Sequence, residues 1–242
     1  MNNIAIIVPF RIQEGQNREW ELSEFSPHMN EMMDSLKEVD NYHIYIIEQN
    51  QSRKKFNRGF LLNIGVALSD ILYSTVILHD VDLLPQADIK EWYGFQPTKY
   101  PLHIAACWKQ RYGYNKHYFG GIVSFNRSVF ETINGFPNNF WGWGGEDDTL
   151  LDRCKINNVL PKKIREGTLK DIETNEKGET MDLDKKLRFL REHKDWKCND
   201  RWERRDMDKW IWKTCGLQQI SGLYEVVSTV TTKHITHTKV YI

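Results

Sequence analysis

The 242-residue sequence has no excess charge of either sign: 33 Lys and Arg stand against 33 Asp and Glu. That balance excludes the general electrostatic pull toward nucleic acid or anionic membrane that a basic chain would carry. Cysteine is scarce. Cys107, Cys154, Cys198 and Cys215 show no C-x-x-C spacing, which argues against a structural zinc site and for reduced thiols. No apolar run is long enough for a membrane span, repeats and low-complexity tracts are missing, and the chain opens directly on the strand-like IAIIVPF rather than on a leader. These absences predict a soluble chain in a cytosol-like compartment, unless a longer parent has been trimmed.

Tryptophan, by contrast, is plentiful. There are nine, and aromatic residues make up 12% of the chain. Such enrichment suits carbohydrate handling, and it suits a thick aromatic core equally well. Short apolar runs rich in branched residues predict buried strands at 4–10, 42–48, 75–80, 103–108 and 120–125. Between them, helices are expected over Pro27 to Leu36 with Ser26 as cap, Phe60 to Leu72, and Ser128 to Ile133. A further helix is expected from Glu146 to about Ile156, its acids in the first turn where the helix dipole favours them. The polar segment 161–200 reads as a mobile loop followed by a short basic helix, and the alternation from Leu223 onward as one or two late strands. Early strand–helix alternation with sheet added late predicts a single α/β domain with a mixed sheet.

Two acidic stretches carry the chemistry. ILHDVDLLP places Asp80 and Asp82 where an apolar strand ends, the edge at which open α/β sheets gather ligands. Carboxylates one residue apart at such an edge point to different sides, so one can bind a hard divalent cation while the other meets a hydroxylated ligand. An ordinary acidic turn is the plainer alternative. NNFWGWGGEDDT, residues 138–149, sets tryptophans and glycines directly against three acids. Glycines admit close approach of a ligand to backbone, aromatic faces suit sugar rings, and a helix N-terminus offsets part of the repulsion among the carboxylates.

Four blocks in order, VPFR (8–11), FNRGFLLNIG (56–65), HDVDLLP (79–85) and YFGGIVSFNRSVFETINGFPNNFWGWGGEDD (118–148), resemble the β-1,4-galactosyltransferase family of inverting, metal-dependent glycosyltransferases. The resemblance covers roughly residues 4 to 157 and thins after 160. HDVDLLP is similar to the xylose-specific branch, WGWGGEDD to the lactosamine-making branches. The resemblance implies a single GT-A domain, with 1–100 as nucleotide-binding half and 101–242 as acceptor-binding half, a UDP-galactose donor, a saccharide or glycoconjugate acceptor, and Mn²⁺. Carried over by position, Pro9, Phe10, Arg11, Phe56, Arg58 and Val81 hold the nucleotide, and Asp80 touches the ribose. Asp82 ligates Mn²⁺, and Trp143 and Lys109 reach donor phosphate. Tyr118 lines the donor-sugar pocket. Gly121, Trp143, Asp147 and Asp148 meet the acceptor, and Asp147 and Glu146 are the catalytic carboxylates, with Asp147 the base. Core packing is the plainer alternative for Phe10 and Phe56, and surface ion pairing for Arg11 and Arg58.

The family's remaining metal ligand is a histidine from a loop after the EDD helix, often with a methionine three residues earlier. Here His193 is the candidate, with Leu190 in the earlier position; a solvated histidine in a charged helix is the alternative. His234 and His237, three apart in a strand, face opposite sides and form no pair, though either one could ligate alone. Three readings follow: a galactosyltransferase, the same fold using UDP-N-acetylgalactosamine or UDP-glucose, and an inactive carbohydrate-binding module.

Overall fold

A computed structural model of the chain describes residues 1–112, 117–193 and 196–242. The expected apolar runs become strands close to where the pattern puts them: β1 (Asn3–Phe10), β2 (Asn41–Gln49) and β3 (Thr75–His79) are buried through most of their length. They pair in parallel, with Ile6 opposite both Ile44 and Ile77. Burial on both faces explains why they read as continuous rather than alternating apolar runs. Between them lie α1 (Arg18–Asp34) and α2 (Arg58–Leu68). The chain continues through β4 (Leu83–Pro85), α3 (Glu91–Gly94), β5 (Leu102–His103), α4 (Lys109–Tyr112), β6 (Ile122–Asn126), α5 (Arg127–Thr132) and α6 (Glu146–Ile156). It ends with β7 (Lys162–Lys163), β8 (Leu169–Asp171), α7 (Leu183–Glu192), α8 (Arg201–Ile211), β9 (Glu225–Thr231) and β10 (Ile235–Tyr241).

Among the described residues the main sheet runs β7-β5-β6-β3-β1-β2-β10-β9, and β4 and β8 form a separate antiparallel pair. The sheet is mixed, as expected: β6 runs antiparallel to β3, and β9 antiparallel to β10. One core lies between the sheet and α1, where Phe25, Met29, Met32 and Met33 pack on Ile4, Ile6 and Ile44; the other lies under α2, α5 and α6.

Two expectations are corrected. The first helix begins at Arg18, nine residues before Pro27, which sits inside it. The spacing of Phe25, Met29 and Met32 keeps one face buried through the proline, and tertiary packing outweighs the lost backbone bond. HIAACW is not a strand beyond His103: Ile104–Cys107 tighten into a 3₁₀ turn that brings Ala105 against the FGG backbone. The polar segment 161–200 carries the expected short basic helix, α7, preceded by the two short strands β7 and β8. Many of its residues are exposed, but Glu173 within it is buried among cations.

Candidate active site

The parallel strands β1 and β3 deliver their carboxyl ends to one edge of the sheet, and the two segments that follow them open a cleft there. The cleft holds about 1150 Å³ of non-protein space, open solvent included. From β1 come Pro9, Phe10 and Arg11; from the end of β3 come Asp80, Val81 and Asp82; Phe56 and Arg58 come from the start of α2. Asn57 fixes that start, its Oδ1 accepting from the Phe60 N–H at 3.0 Å. Its amide donates to the Asn138 carbonyl at 2.8 Å, which ties α2 to the aromatic–glycine loop. Arg11 turns Nη1 and Nη2 to the Lys54 and Ser52 carbonyls, while its buried Nε has no partner.

α6 opens at Glu146, as expected, with Gly145 at φ 98° before it. Two of the three glycines of WGWGG are needed for packing within the chain. A Cβ on Gly142, at φ 97°, would lie 2.6 Å from the Lys197 carbonyl carbon, and one on Gly145 2.8 Å from Arg201 Cβ. Trp143 lines the cleft together with Trp108 and Trp196, whereas Trp141 lies against the α2 core with Lys54 over its ring at 5.2 Å. The close approach belongs instead to FGG: a Cβ on Gly120 would fall 2.2 Å from Asp147 Oδ2. Tyr118 and Gly121 line the same wall, the tyrosine hydroxyl lying over Gly121.

Two guanidinium groups organise the acids. Arg58 donates from Nε to Asp80 at 2.7 Å and from Nη1 to Asp147 at 2.8 Å, with Glu146 3.9 Å away. Burial raises Asp80 and Glu146 above the usual carboxylate range and Asp147 well above it, with Arg58 opposing. Glu146 Oε2 is buried in the cleft wall without a partner. Arg18, at the start of α1, donates from Nη1 to Asp82 at 2.9 Å and to Glu21 at 2.6 Å, and its Nη2 lies 3.6 Å from Glu173. Burial would raise Asp82, but Arg18, Lys186 and Arg111 overcome it and hold the group at about 2. Glu21, fully enclosed, is pushed up to about 7 by burial. Asp80 and Asp82 thus face different partners, as their spacing predicts.

Three expected positions lie off the cleft. Lys109 is exposed; Arg111, one half-turn on, is the buried cation that lines it. Asp148 faces Arg205 at 3.9 Å on the outer side of α6. His193 caps α7, exposed, donating Nδ1–H to the Phe189 carbonyl and stacking on the Phe189 ring. His237 bonds Glu48 at 2.8 Å, and His234, just ahead of β10, stacks on Tyr42; neither lines the cleft. Sequence reasoning missed Arg18, Arg111, Glu173 and Lys186. Arg18 in QNREWEL, an arginine three before a buried glutamate at helical spacing, was the one available signal.

Among the described residues no three His, Cys, Asp or Glu side chains form a group that could hold a metal ion. The donors present fit a shared cation. Asp82 offers a hard oxygen, Arg18 occupying only its Oδ2, so most ligands would have to come from a bound diphosphate.

Residues 1–94 match the description "N-terminal region of glycosyl transferase group 7", and residues 100–173 match "N-terminal domain of galactosyltransferase". Human beta-1,4-galactosyltransferase 4 is 38% identical over 172 residues, 67% of this chain and 46% of that protein. Human beta-1,4-galactosyltransferase 6 is 37% identical over 198 residues, 78% of this chain and 49% of that protein. The chain therefore spans about half the length of these curated relatives. The catalytic domain of Drosophila beta-1,4-galactosyltransferase 7, in complex with xylobiose, superposes with a TM-score of 0.77 at 26% identity, over 100% of this chain and 94% of that one. A mutant of the Drosophila enzyme in complex with manganese, UDP-Gal and xylobiose gives 0.76 at 25% identity, over the same shares of the two chains. The fold is accordingly that of a GT-A glycosyltransferase.

Proposed function

Because the chain belongs to the glycosyltransferase group 7 family of β-1,4-galactosyltransferases, we propose that it moves galactose from UDP-galactose to a saccharide hydroxyl with inversion, forming a β-1,4 linkage. The observation that carries this reading is one arginine, Arg58, holding a carboxylate from the end of β3 and another from the start of α6 in a single cleft. A donor-binding edge and a base at the acceptor side are what an inverting transfer requires.

In this assignment Phe10, Arg11, Phe56 and Val81 enclose the nucleotide, with the unpartnered Arg11 Nε as a donor to it. Asp80 meets the ribose, and Trp143 closes over the phosphates. Asp82 would hold Mn²⁺, and the ion when bound would supply positive charge to offset the negative charge developing on departing UDP. Lys186 and Arg111, rather than Lys109, are placed to add positive charge there. Tyr118 and Gly121 wall the donor sugar, and the free Glu146 Oε2 takes a sugar hydroxyl. Burial raises Asp147 well above the usual carboxylate range, Arg58 at Oδ1 opposing, and the ionised form is then a stronger base than a surface aspartate. It accepts the acceptor hydroxyl proton as that oxygen attacks the anomeric carbon.

The test is transfer from UDP-galactose to xylobiose and to terminal N-acetylglucosamine with Mn²⁺, followed as UDP release and product mass. Galactosylated product on either acceptor is expected. Saccharide binding without product from UDP-galactose, UDP-N-acetylgalactosamine or UDP-glucose would leave the binding-module reading in its place.

A further inference from the structure

Beside the cleft, one guanidinium stands among three buried carboxylates. Glu21 is fully buried, Glu173 is 1% exposed and Asp82 8%. The position of Arg18 is fixed from several sides: its Nε donates to Gln16 Oε1 at 3.1 Å, the Asn17 N–H donates to the Thr174 carbonyl, and the Thr174 N–H donates to Glu21. These bonds lock the start of α1 onto the residues that follow β8. Without a cation, the three carboxylates would repel one another in a low-dielectric setting.

Their other partners are unequal. Glu173 is also held by Arg111, by Lys186 at 2.8 Å and by Gln16 at 2.8 Å, so it is fully committed. Glu21 keeps the Thr174 N–H as well as Arg18. Asp82 has Arg18 as its ion-pair partner, and it faces the open cleft. Of the three, Asp82 is the one that can leave the guanidinium while the other two keep it paired.

We infer that Arg18 is a resident counter-cation which holds Asp82 while the cleft is empty and which Asp82 exchanges for a divalent metal when donor binds. The inference rests on Asp82 being the metal carboxylate proposed above. The exchange leaves no buried charge alone, since Arg18 stays with Glu21 and Glu173. It also makes the guanidinium and the metal antagonists, because two positive groups on one carboxylate repel each other. The protein thereby keeps a preformed anionic site without a bound metal, at the cost of weaker affinity for metal alone.

The experiment measures Mn²⁺ alone, without nucleotide, by calorimetry and by electron paramagnetic resonance of the free ion. Arg18→Gln is expected to bind Mn²⁺ about tenfold more tightly than wild type or better, and Arg18→Lys, which retains the charge, to stay within about threefold of wild type. Should Arg18→Gln fold poorly, the pair Glu21→Gln and Arg18→Gln/Glu21→Gln keeps local charge balanced, and the double variant should bind Mn²⁺ more tightly than the single. Unchanged or weaker Mn²⁺ binding in these Arg18→Gln proteins overturns the inference. Asp82→Asn separates the two readings. If it abolishes Mn²⁺ binding while Arg18→Gln has no effect, the metal carboxylate stands and only the exchange fails; if Asp82→Asn leaves binding intact, both fail.

Discussion

Replacing Arg58 by methionine tests the organisation of the cleft most directly. The side chain is 14% exposed and neutralises Asp80 and Asp147 at hydrogen-bond distance, with Glu146 close by. Methionine fills similar volume but leaves those carboxylates without a counter-charge, a loss usually costing about 3–5 kcal/mol. Asp80 and Asp147 keep 29% and 28% of their side-chain surface open to the cleft, so solvent absorbs part of the released charge and about 3 kcal/mol at pH 8 is expected. The pH dependence gives the argument its edge. Burial already raises all three carboxyls, and loss of Arg58 raises them further. A group raised in the folded state stabilises below its unfolded value near 4 and loses that contribution as pH climbs. Arg58→Met should therefore approach wild-type stability near pH 4 and fall away toward pH 8. Urea unfolding of both proteins across that range measures the difference. A penalty under 1 kcal/mol at pH 8, or one independent of pH, would refute the view that Arg58 is there to hold charge.

Asp147→Asn keeps shape and loses the proton acceptor, so transfer should fall about 10²-fold or more while UDP affinity with Mn²⁺ survives; near-normal rates would move the base to Glu146. Tyr118→Leu opens the wall over Gly121 and should gain use of UDP-N-acetylgalactosamine, since such selectivity is often worth only about 1–3 kcal/mol. Initial rates with both donors on one acceptor decide it, and an unchanged donor ratio removes Tyr118 from the choice. His79, buried and bonded to the Asp80 carbonyl and the Tyr93 hydroxyl, is held at about 4 against 6.5 by burial. The unfolded chain takes up that proton between pH 6.5 and 4 and the folded chain does not, so His79 by itself removes about 3 kcal/mol across this window. His79→Gln should lose less over the same window; equal losses by urea unfolding at pH 7 and pH 4 would exclude His79 as the cause.

Where the chain was legible, one physical rule dominated a stretch. Ile4 to Phe10 is apolar because both faces of β1 are buried, and Glu146 to Asp148 announce a helix because carboxylates favour a helix N-terminus. Where it was not, two rules competed. Pro27 signals a helix start, yet the buried face of Phe25, Met29 and Met32 carries α1 straight through it. Polarity at 161–200 signals exposure, yet Glu173 is buried because Arg111 and Lys186 come to it from distant segments. The motif residues of the cleft sit on β1, α2, β3 and α6, so local pattern found them. Arg18, Arg111 and Lys186 come from α1, α4 and α7 and share no local pattern, so only the folded chain brings them together. The orientation of His193 was not legible either: a lone histidine carries no information on which way its helix turns it, and here it turns back onto Phe189.

The place of β10 in the sheet bears on how this chain is made. Ile44 on β2 finds its outer neighbour in Ile235, and Val240 pairs with Gln49 at the other end of the same ladder. On a ribosome, β1, β2 and β3 emerge early and can collapse together. The outer edge of β2 then stays open while nearly all the remaining residues are added. Parallel pairing over such separations is slow, because loop closure precedes any reward from contact. During that interval the segment from Tyr42 to Gln49, rich in β-branched and aromatic residues, is an exposed sticky edge. Yield of soluble protein should thus be governed less by the final stability of the fold than by what shields that edge until β10 arrives.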